Sequence, residues 1–210
     1  MNDLIPLLAV YAYVVSLVLL SEKAIKNELL GRKFLHIMVG NIAFLLPFFE
    51  SREVMTFLAA FPFVILTFLM TPYSPIKIPS RTTLSGHALG LFYYSIAWTL
   101  LAFFLFERRD AISMGIVAMS YGDGFASLVG TKYGKRKYTI FGASKSLEGS
   151  LAMFVSTLAM FLAISLYYSR EVTYSLVLLA LVATIVEAIT PKGLDNLSVS
   201  LLIAPLSLML

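Results

Sequence analysis

Four short polar clusters interrupt a sequence that is otherwise almost continuously apolar. The longest cluster covers residues 122–149 and begins around Asp123, directly after the mostly apolar run 111–121. A carboxylate in such apolar surroundings is costly and by default indicates a functional site. Closely spaced glycines follow it, and then a basic group. The basic group consists of Lys132, Lys135, Arg136 and Lys137. An acid, flexible backbone and concentrated positive charge together suit a nucleotide with its divalent metal.

Asp123 could supply an oxygen ligand to Mg²⁺ or accept a proton from a substrate hydroxyl. Lys145 and Glu148 follow at the start of the next apolar run, three positions apart. They either take part in the same chemistry or pair with each other. Standard nucleotide motifs do not fit. Residues 130–135 have one residue too few between their glycines for a P-loop, and Arg136 replaces the required Ser or Thr.

The first cluster contains Arg32, Lys33 and His36. Helix positions three and four apart lie on one face, so these side chains can converge. Such a group could bind phosphate, with the guanidinium as a bidentate partner. The alternative is a basic flank that anchors a helix at the lipid headgroups, with His36 as an interfacial side chain. Because His36 lies inside the apolar run, we favour a functional role for it.

The second cluster covers residues 79–90 and places His87 between Gly86 and Gly90. Two interpretations are equally favoured. One is a functional histidine in the first turn of a helix. The other is a structural helix start, in which Ser85 is the N-cap and the glycines allow close backbone approach.

The fourth cluster combines Glu187, at the end of an apolar run, with the pair Asp195 and Asn196. Asp and Asn are favourable N-cap residues, so the pair could simply begin the last helix. The competing interpretation is that all three side chains supply oxygen ligands to the metal or the nucleotide. The spacing alone does not separate these two interpretations.

Composition indicates the elements that position these clusters. Hydrophobic residues make up 59% of the chain, charged residues 13%, and the mean hydropathy is +0.87. Soluble domains carry about 25% charge, so we predict an integral membrane protein. The continuous apolar runs exclude an alternating transmembrane barrel and predict an all-α, polytopic bundle of about seven to eight transmembrane helices. One membrane-embedded domain covers 1–210. The runs are 4–20, 34–49, 54–70, 88–106, 112–129, 147–168, 174–189 and 197–210.

The basic residues predict the orientation of this bundle. If the N-terminus lies outside, inside loops hold twelve of the 16 Lys and Arg residues and outside loops hold four. Cytoplasmic loops carry such an excess. The same orientation places all four polar clusters at the cytoplasmic face. A channel or transporter, the rival class outside enzymes, would more often place polar groups near the bilayer midplane. We therefore predict a multi-pass protein of the cell membrane with an outside N-terminus and a cytoplasmic active site.

Together, the clusters resemble the dolichol kinase/phytol kinase family of membrane-bound, CTP-dependent lipid-alcohol kinases. The resemblance covers nearly the whole chain. In this family the long glycine motif, with its downstream Lys-x-x-Glu-Gly, is taken to bind CTP. The motifs are Arg32-Lys33-x-x-His36, Gly86-His87-x-x-Gly90, Gly122-Asp123-Gly124-x-Ala126-x-x-x-Gly130-x-x-x-Gly134, Lys145-Ser146-x-Glu148-Gly149-Ser150, and Glu187 with Asp195-Asn196-Leu197.

The resemblance implies a CTP-dependent kinase that converts a membrane isoprenoid alcohol (phytol, geranylgeraniol or a dolichol-like prenol) into its monophosphate. The alternative is a CTP-using cytidylyltransferase, which would make a CDP-lipid and release pyrophosphate. Expected catalytic residues are Asp123, Lys145, Glu148, His36 and His87. Expected nucleotide contacts are Gly122, Ala126, Gly130, Gly134, Lys135, Lys145, Ser146, Gly149, Arg32 and Lys33. Expected Mg²⁺ ligands are Asp123, Glu148, Glu187, Asp195 and Asn196.

The expected partners follow from this assignment. They are CTP with Mg²⁺, an isoprenoid or other lipid alcohol, and the lipid bilayer. The net charge of +4 is modest, and we expect no nucleic-acid partner. Helix faces rich in small residues could support a homodimer.

Overall fold

The computed structural model describes residues 2–76, 89–141, 143–191 and 193–209. Within these ranges the chain is built mostly from α-helices, which confirms the predicted all-α fold class. The helices are α1 (Leu4–Ala24), α2 (Glu28–Val39), α3 (Phe61–Leu69), α4 (Gly90–Phe104), α5 (Arg109–Val117), α6 (Asp123–Tyr133), α7 (Leu147–Tyr167), α8 (Ser175–Ile189) and α9 (Asp195–Leu206).

Three helical stretches of the described chain are long and apolar enough to cross a membrane. They are α1, α7 and the continuous stretch Arg109–Tyr133, which contains α5, the π-helical turn Ala118–Gly122 and α6. Four shorter apolar helices accompany them: Val54–Leu69, α4, α8 and α9. This pattern is that of a helical membrane protein.

The helix Arg109–Tyr133 lies at the centre of the bundle. In its most apolar 18-residue segment, 72% is buried inside the protein, against 28% in that of α1 and 33% in that of α7. It packs against α2, α7 and α9. Small residues permit these contacts: a side chain at Gly115 would lie 2.7 Å from the carbonyl oxygen of Ser200. Any functional side chain on the central helix is therefore surrounded by other helices.

The apolar run 34–49 does not form the single helical segment that we predicted. Helix α2 ends at Val39, and the chain continues in two 3₁₀ turns, Gly40–Phe44 and Leu46–Phe48. Pro47 lies in the first turn of the second one and has no N–H to continue the ladder. Gly40 contacts the central helix so closely that its Cβ would lie 2.5 Å from Cβ of Ser120.

The sequence also gave no indication of the small β-hairpin that joins α6 to α7. Its strands are β1 (Lys137–Ile140) and β2 (Ala143–Ser146), paired antiparallel with Tyr138 opposite Lys145. At its base the Leu147 N–H donates to the carbonyl of Arg136 at 3.0 Å. The hairpin ends where α7 begins, and it therefore holds Lys145 at a fixed place beside the bundle.

The loops predicted to lie outside meet at one end of the bundle. The backbone N–H of Glu50 donates to Asp3 at 2.6 Å, and Arg170 lies 3.3 Å from Asp110. Arg109 donates to the carbonyl of Phe49 at 2.8 Å. The glycine motif, the hairpin and the acidic residues gather at the other end. The structure thus separates two polar ends, as the sequence predicted.

Candidate active site

Three buried carboxylates converge at the hairpin end of the bundle. They belong to Asp123 at the start of α6, Glu187 near the end of α8 and Asp195 at the start of α9. One oxygen from each lies within 4.8 Å of the others. Their residues are 8%, 3% and 6% exposed, so water does little to screen their mutual repulsion. Such a group is stable only beside positive charge.

Two lysines supply that positive charge. Lys33 Nζ lies 2.8 Å from Asp123 Oδ2. Lys145 forms an ion pair with Glu187 and lies 3.6 Å from Asp195 Oδ2. The two lysines come from α2 and β2, so distant parts of the chain close the cluster. Burial lowers the pKa of Lys145, but the facing carboxylates raise it overall, so this lysine is protonated at neutral pH.

His36 contacts the same oxygen of Asp123 at 3.3 Å and lies 3.1 Å from the carbonyl of Met119 through the same ring nitrogen, Nε2. Its ring packs edge-on against Tyr94, with the ring centroids 5.4 Å apart. The predicted convergence of Arg32, Lys33 and His36 is therefore present in the structure: two of the three contact Asp123, and all three line one cavity.

A π-helical turn, Ala118–Gly122, directly precedes Asp123. Such turns are rare and are frequent at functional sites. Ser120 holds this one by donating to the carbonyl of Ile116 at 2.7 Å and by bonding the Tyr94 hydroxyl at 2.8 Å. The extra residue in the turn shifts the register of the helix and sets the direction in which Asp123 projects. Sequence reasoning missed this turn, because no residue type specifies it.

The carboxylates face a cavity of about 520 Å³. Residues of the glycine motif and of β2 line the same cavity. The cavity brings together most of the residues predicted from the sequence. These are Arg32, Lys33, His36, Asp123, Ala126, Gly130, Gly134, Lys145, Ser146, Gly149, Glu187, Asp195 and Asn196.

Three glycines meet around the hydroxyl of Ser146, where α6 packs on α7. A Cβ at Gly130, Gly134 or Gly149 would lie 3.1, 2.6 or 3.1 Å from Ser146 Oγ. This oxygen also accepts the N–H of Gly149 at 3.1 Å, which caps α7. The glycine spacing therefore allows two helices to approach closely, and it gives the cavity a wall of exposed backbone.

Several predicted residues lie elsewhere. Gly122 faces Thr157 and Met153, where a Cβ would lie 2.4 Å from the threonine hydroxyl oxygen. Lys135 is exposed and does not line the cavity. His87 lies outside the described residues.

Glu148 is separate from the three converging carboxylates. Its own carboxylate accepts the backbone N–H groups of Lys135 at 3.2 Å and Arg136 at 3.3 Å. The pair between Lys145 and Glu148, which the sequence left open, does not form: Lys145 contacts Glu187 and Asp195 instead. Glu148 therefore holds the loop between α6 and the hairpin in place.

The cavity has further lining residues that the sequence did not single out as site residues, among them Leu29 on α2, Leu91 on α4, and Lys137. Lys137 belongs to the basic group, and this could have identified it. The two leucines carry no such signal, because leucine is common throughout the chain. Only the packing of the helices shows that these two line the same cavity as the acids.

The sequence is similar to curated proteins named phytol kinase. Phytol kinase of Synechocystis is 33% identical over 132 residues, which cover 59% of this chain and 55% of that protein. Probable phytol kinase of Zea mays is 32% identical over 206 residues, which cover 87% of this chain and 67% of that protein. Phytol kinase 1 of Arabidopsis thaliana is 30% identical over 212 residues, which cover 91% and 69%. No family model and no solved structure matches.

Proposed function

The chain belongs to the phytol kinase family, and on that premise we propose that it phosphorylates the hydroxyl of a membrane isoprenoid alcohol, with CTP as phosphoryl donor. The acceptor is phytol or a prenol of similar length. One observation carries the proposal: three buried carboxylates and two lysines line the same cavity as the glycine wall. This combination suits a lipid-alcohol kinase, because phosphoryl transfer is mostly positioning and charge stabilisation.

The basic side chains would bind the triphosphate, and the glycine wall would leave room for it. Lysine and arginine side chains are common phosphate partners. The N–H groups of Gly134 and Gly149 already donate within the protein, to Gly130 and Ser146. Lys33 and Lys145 are paired with carboxylates here, and each has a flexible stem that can redirect its ammonium group toward a phosphate oxygen. Arg32 lines the same cavity, and we propose its guanidinium as a further phosphate partner.

The three carboxylates fit a divalent metal. Mg²⁺ prefers oxygen ligands and commonly binds through one or two carboxylates together with substrate phosphates. Asp123, Glu187 and Asp195 offer such oxygens within 4.8 Å of one another, and we propose them as the residues that would hold Mg²⁺. When bound, the ion would neutralise charge on the phosphates. Glu148, which we also predicted as a ligand, has its carboxylate directed to backbone N–H groups.

In the proposed reaction the alcohol oxygen attacks the γ-phosphorus of CTP. A new phosphorus–oxygen bond forms, the bond to the β,γ-bridging oxygen breaks, and CDP leaves with that electron pair. The hydroxyl proton passes to a carboxylate, for which we propose Asp123. His36 and Lys33 hold this side chain in place through contacts of 3.3 and 2.8 Å. The product is the lipid monophosphate.

We propose that this reaction takes place at the cytoplasmic face. The distribution of Lys and Arg supports this orientation, because cytoplasmic loops carry the excess. CTP is also a cytoplasmic solute, and the cavity belongs to the end of the bundle that holds most of the basic residues.

A label-transfer experiment tests the proposal. Purified protein in detergent would receive Mg²⁺, γ-labelled CTP and a panel of phytol, geranylgeraniol, longer prenols and diacylglycerol. We expect label on phytol or geranylgeraniol, release of CDP, and loss of transfer in Asp123→Ala. The matched control is Asp110→Ala. Asp110 is an acid on the same long helix at the opposite end of the bundle, where it pairs with Arg108 and Arg170.

The outcomes separate the proposed kinase from its alternatives. Pyrophosphate release with a phosphorylated lipid, and no label on any alcohol, would assign the site to a cytidylyltransferase. Label transferred from ATP but not from CTP would retain the kinase and overturn the donor. Equal loss of transfer in Asp110→Ala and Asp123→Ala would contradict the proposed catalytic role of the carboxylate cluster.

A further inference from the structure

Asn196 lines the cavity and carries a buried hydrogen-bond acceptor. The residue is 4% exposed and lines the cavity beside Asp195. Its Nδ2 donates to the carbonyl of Gly90 at 3.1 Å. Its Oδ1 is buried and has no hydrogen-bond partner within the described part of the chain. The bond to Gly90 fixes the direction of the amide, because a carbonyl accepts only from the NH₂ group.

An unpaired buried oxygen has a free-energy cost that a ligand can remove. A buried acceptor without a partner has lost its hydrogen bonds to water and gained none in return. Gly90 permits this close approach, since a Cβ at this position would lie 3.3 Å from Asn196 Nδ2. The bundle therefore holds one amide oxygen ready for a donor. Lysines and an arginine line the rest of the site, but this oxygen pairs with none of them in the described residues.

Two leucines line the same cavity as this amide. Leu91 directly follows Gly90 on α4, and Leu29 belongs to α2. Both are half-buried. The glycine wall comes from α6, β2 and α7. The cavity thus holds two leucines and a hydrogen-bond acceptor in addition to its charged groups and glycines.

We propose that Asn196 Oδ1 accepts a hydrogen bond from the hydroxyl of the lipid alcohol and that Leu29 and Leu91 contact its first carbons. This inference rests on the proposed kinase function and names its acceptor subsite. A lipid alcohol matches this subsite, because its hydroxyl is a single hydrogen-bond donor attached to a long hydrocarbon chain. Asp195 is the neighbour of Asn196 in the sequence and belongs to the carboxylate cluster, so this subsite places the hydroxyl beside the acids.

Asn196 acts here as a positioning residue. An amide oxygen is too weak a base to remove the proton, so the hydroxyl turns about its C–O bond and the proton passes to a cluster carboxylate as the oxygen bonds to phosphorus. In a loose transition state the nucleophile carries little negative charge. Orientation of the hydroxyl before transfer is therefore what the amide contributes.

The first experiment separates alcohol binding from metal binding. Wild-type protein that phosphorylates phytol establishes the function. In Asn196→Ala we expect the KM for phytol to rise about tenfold, as for the loss of one hydrogen bond. We expect the Kd for Mn²⁺ with CTP to stay within about twofold of wild type. Electron paramagnetic resonance measures this Kd. Unchanged Mn²⁺ binding also shows that the variant is folded.

Parallel weakening of Mn²⁺ binding in Asn196→Ala would overturn the proposal, because the amide oxygen would then be a metal ligand. An unchanged KM for phytol would overturn it as well. Failure of wild-type protein to phosphorylate any alcohol would instead contradict the proposed function, so the two failures are distinguishable.

A second pair of variants tests the apolar contact independently. Leu29→Trp adds bulk inside the cavity, whereas Leu30→Trp adds it to a neighbouring residue that is 49% exposed and does not line the cavity. We expect at least about tenfold loss of kcat/KM for phytol only in Leu29→Trp, with CTP binding unchanged. Equal effects of the two variants would contradict the proposed contact between Leu29 and the lipid. A loss of CTP binding in Leu29→Trp alone would contradict it as well.

Discussion

Charge compensation by Lys33 and Lys145 is the main feature of the site at the scale of single residues. Three carboxylates within 4.8 Å of one another would repel strongly in a buried setting. Each lysine contacts at least one of them. The lysines therefore supply the positive charge beside the carboxylates that a bound metal ion would supply. Binding of Mg²⁺ and binding of the triphosphate should be coupled, because the lysines exchange carboxylates for phosphates.

Lys145→Met tests this coupling. Without its ammonium group, Glu187 and Asp195 lose their partner, and breaking a buried pair costs about 3–5 kcal/mol. We expect a lower Tm without metal, a larger rise in Tm on adding Mg²⁺ than in wild type, and tighter binding of Mn²⁺ alone. Differential scanning fluorimetry and Mn²⁺ titration measure these changes.

Lys132→Met is the matched control for that variant. Lys132 is exposed and lies over the ring of Tyr133, 5.0 Å from its centroid, so the substitution removes the same charge outside the cavity. If both variants respond to Mg²⁺ like wild type, Lys145 does not compensate the metal ligands.

At the scale of elements, the junction of α6, the hairpin and α7 forms the wall of the cavity. Glycines bring the two helices together around Ser146. Glu148 then fixes the intervening loop by accepting two backbone N–H groups. The hairpin holds Lys145 beside Glu187. Local packing therefore determines both the shape of the wall and the place of its lysine.

Gly149→Ala should disturb this junction. The new Cβ would lie 2.9 Å from the carbonyl oxygen of Ala126, so the helices must separate. Overpacking of this kind costs about 1–3 kcal/mol, and we expect lower stability and weaker CTP binding, measured by thermal unfolding and nucleotide titration. Gly31→Ala is the control, because its Cβ meets atoms no closer than 3.5 Å. A helix-interior Gly→Ala change there should be neutral or stabilise by about 0.5–1 kcal/mol. Equal effects would contradict the packing argument.

Glu148→Ala distinguishes a structural from a metal-binding role for this acid. Its contacts to the Lys135 and Arg136 N–H groups predict a higher KM for CTP, because the loop loses its anchor. They also predict an unchanged Kd for Mn²⁺ alone. A weaker Mn²⁺ affinity would instead support the metal role expected from the sequence. Kinetics at varied CTP and a Mn²⁺ titration give the two values.

At the scale of the whole molecule, the bundle separates two polar ends. Short loops with arginine–acid pairs meet at one end, and the cavity, which Lys33, Lys137 and Lys145 line, lies toward the other. Apolar side chains remain exposed along the helices between them, including Leu151 at 63% and Leu178 at 56%. Lipid can cover these surfaces. The arrangement fits an enzyme that takes a lipid from the bilayer and a nucleotide from one aqueous side.

Cysteine labelling tests the orientation of the two ends. The chain contains no cysteine, so single substitutions can be labelled without background. Thr139→Cys lies on the exposed hairpin, and Glu171→Cys lies on an exposed loop at the opposite end. In intact cells we expect a membrane-impermeant maleimide to label position 171 and to reach position 139 only after permeabilisation. The reverse pattern would place the cavity outside.

The sequence by itself determined the class of protein, the order of its motifs and the separation of its polar ends. These properties depend on local composition and spacing, and they needed no knowledge of packing. Most cavity-lining residues were also identifiable, because polar or glycine positions inside apolar runs are costly unless they serve a site.

Only the tertiary structure decided how those residues pair. Lys33 and Asp123 are 90 positions apart, and Lys145 and Glu187 are 42 apart, so spacing could not reveal either contact. The π-turn before Asp123 and the anchoring role of Glu148 likewise depend on neighbouring helices. Leu29 and Leu91 are chemically ordinary residues that the fold brings to the cavity. Local patterns specify which side chains are unusual, but the partner of a buried charge depends on distances that only the folded chain sets.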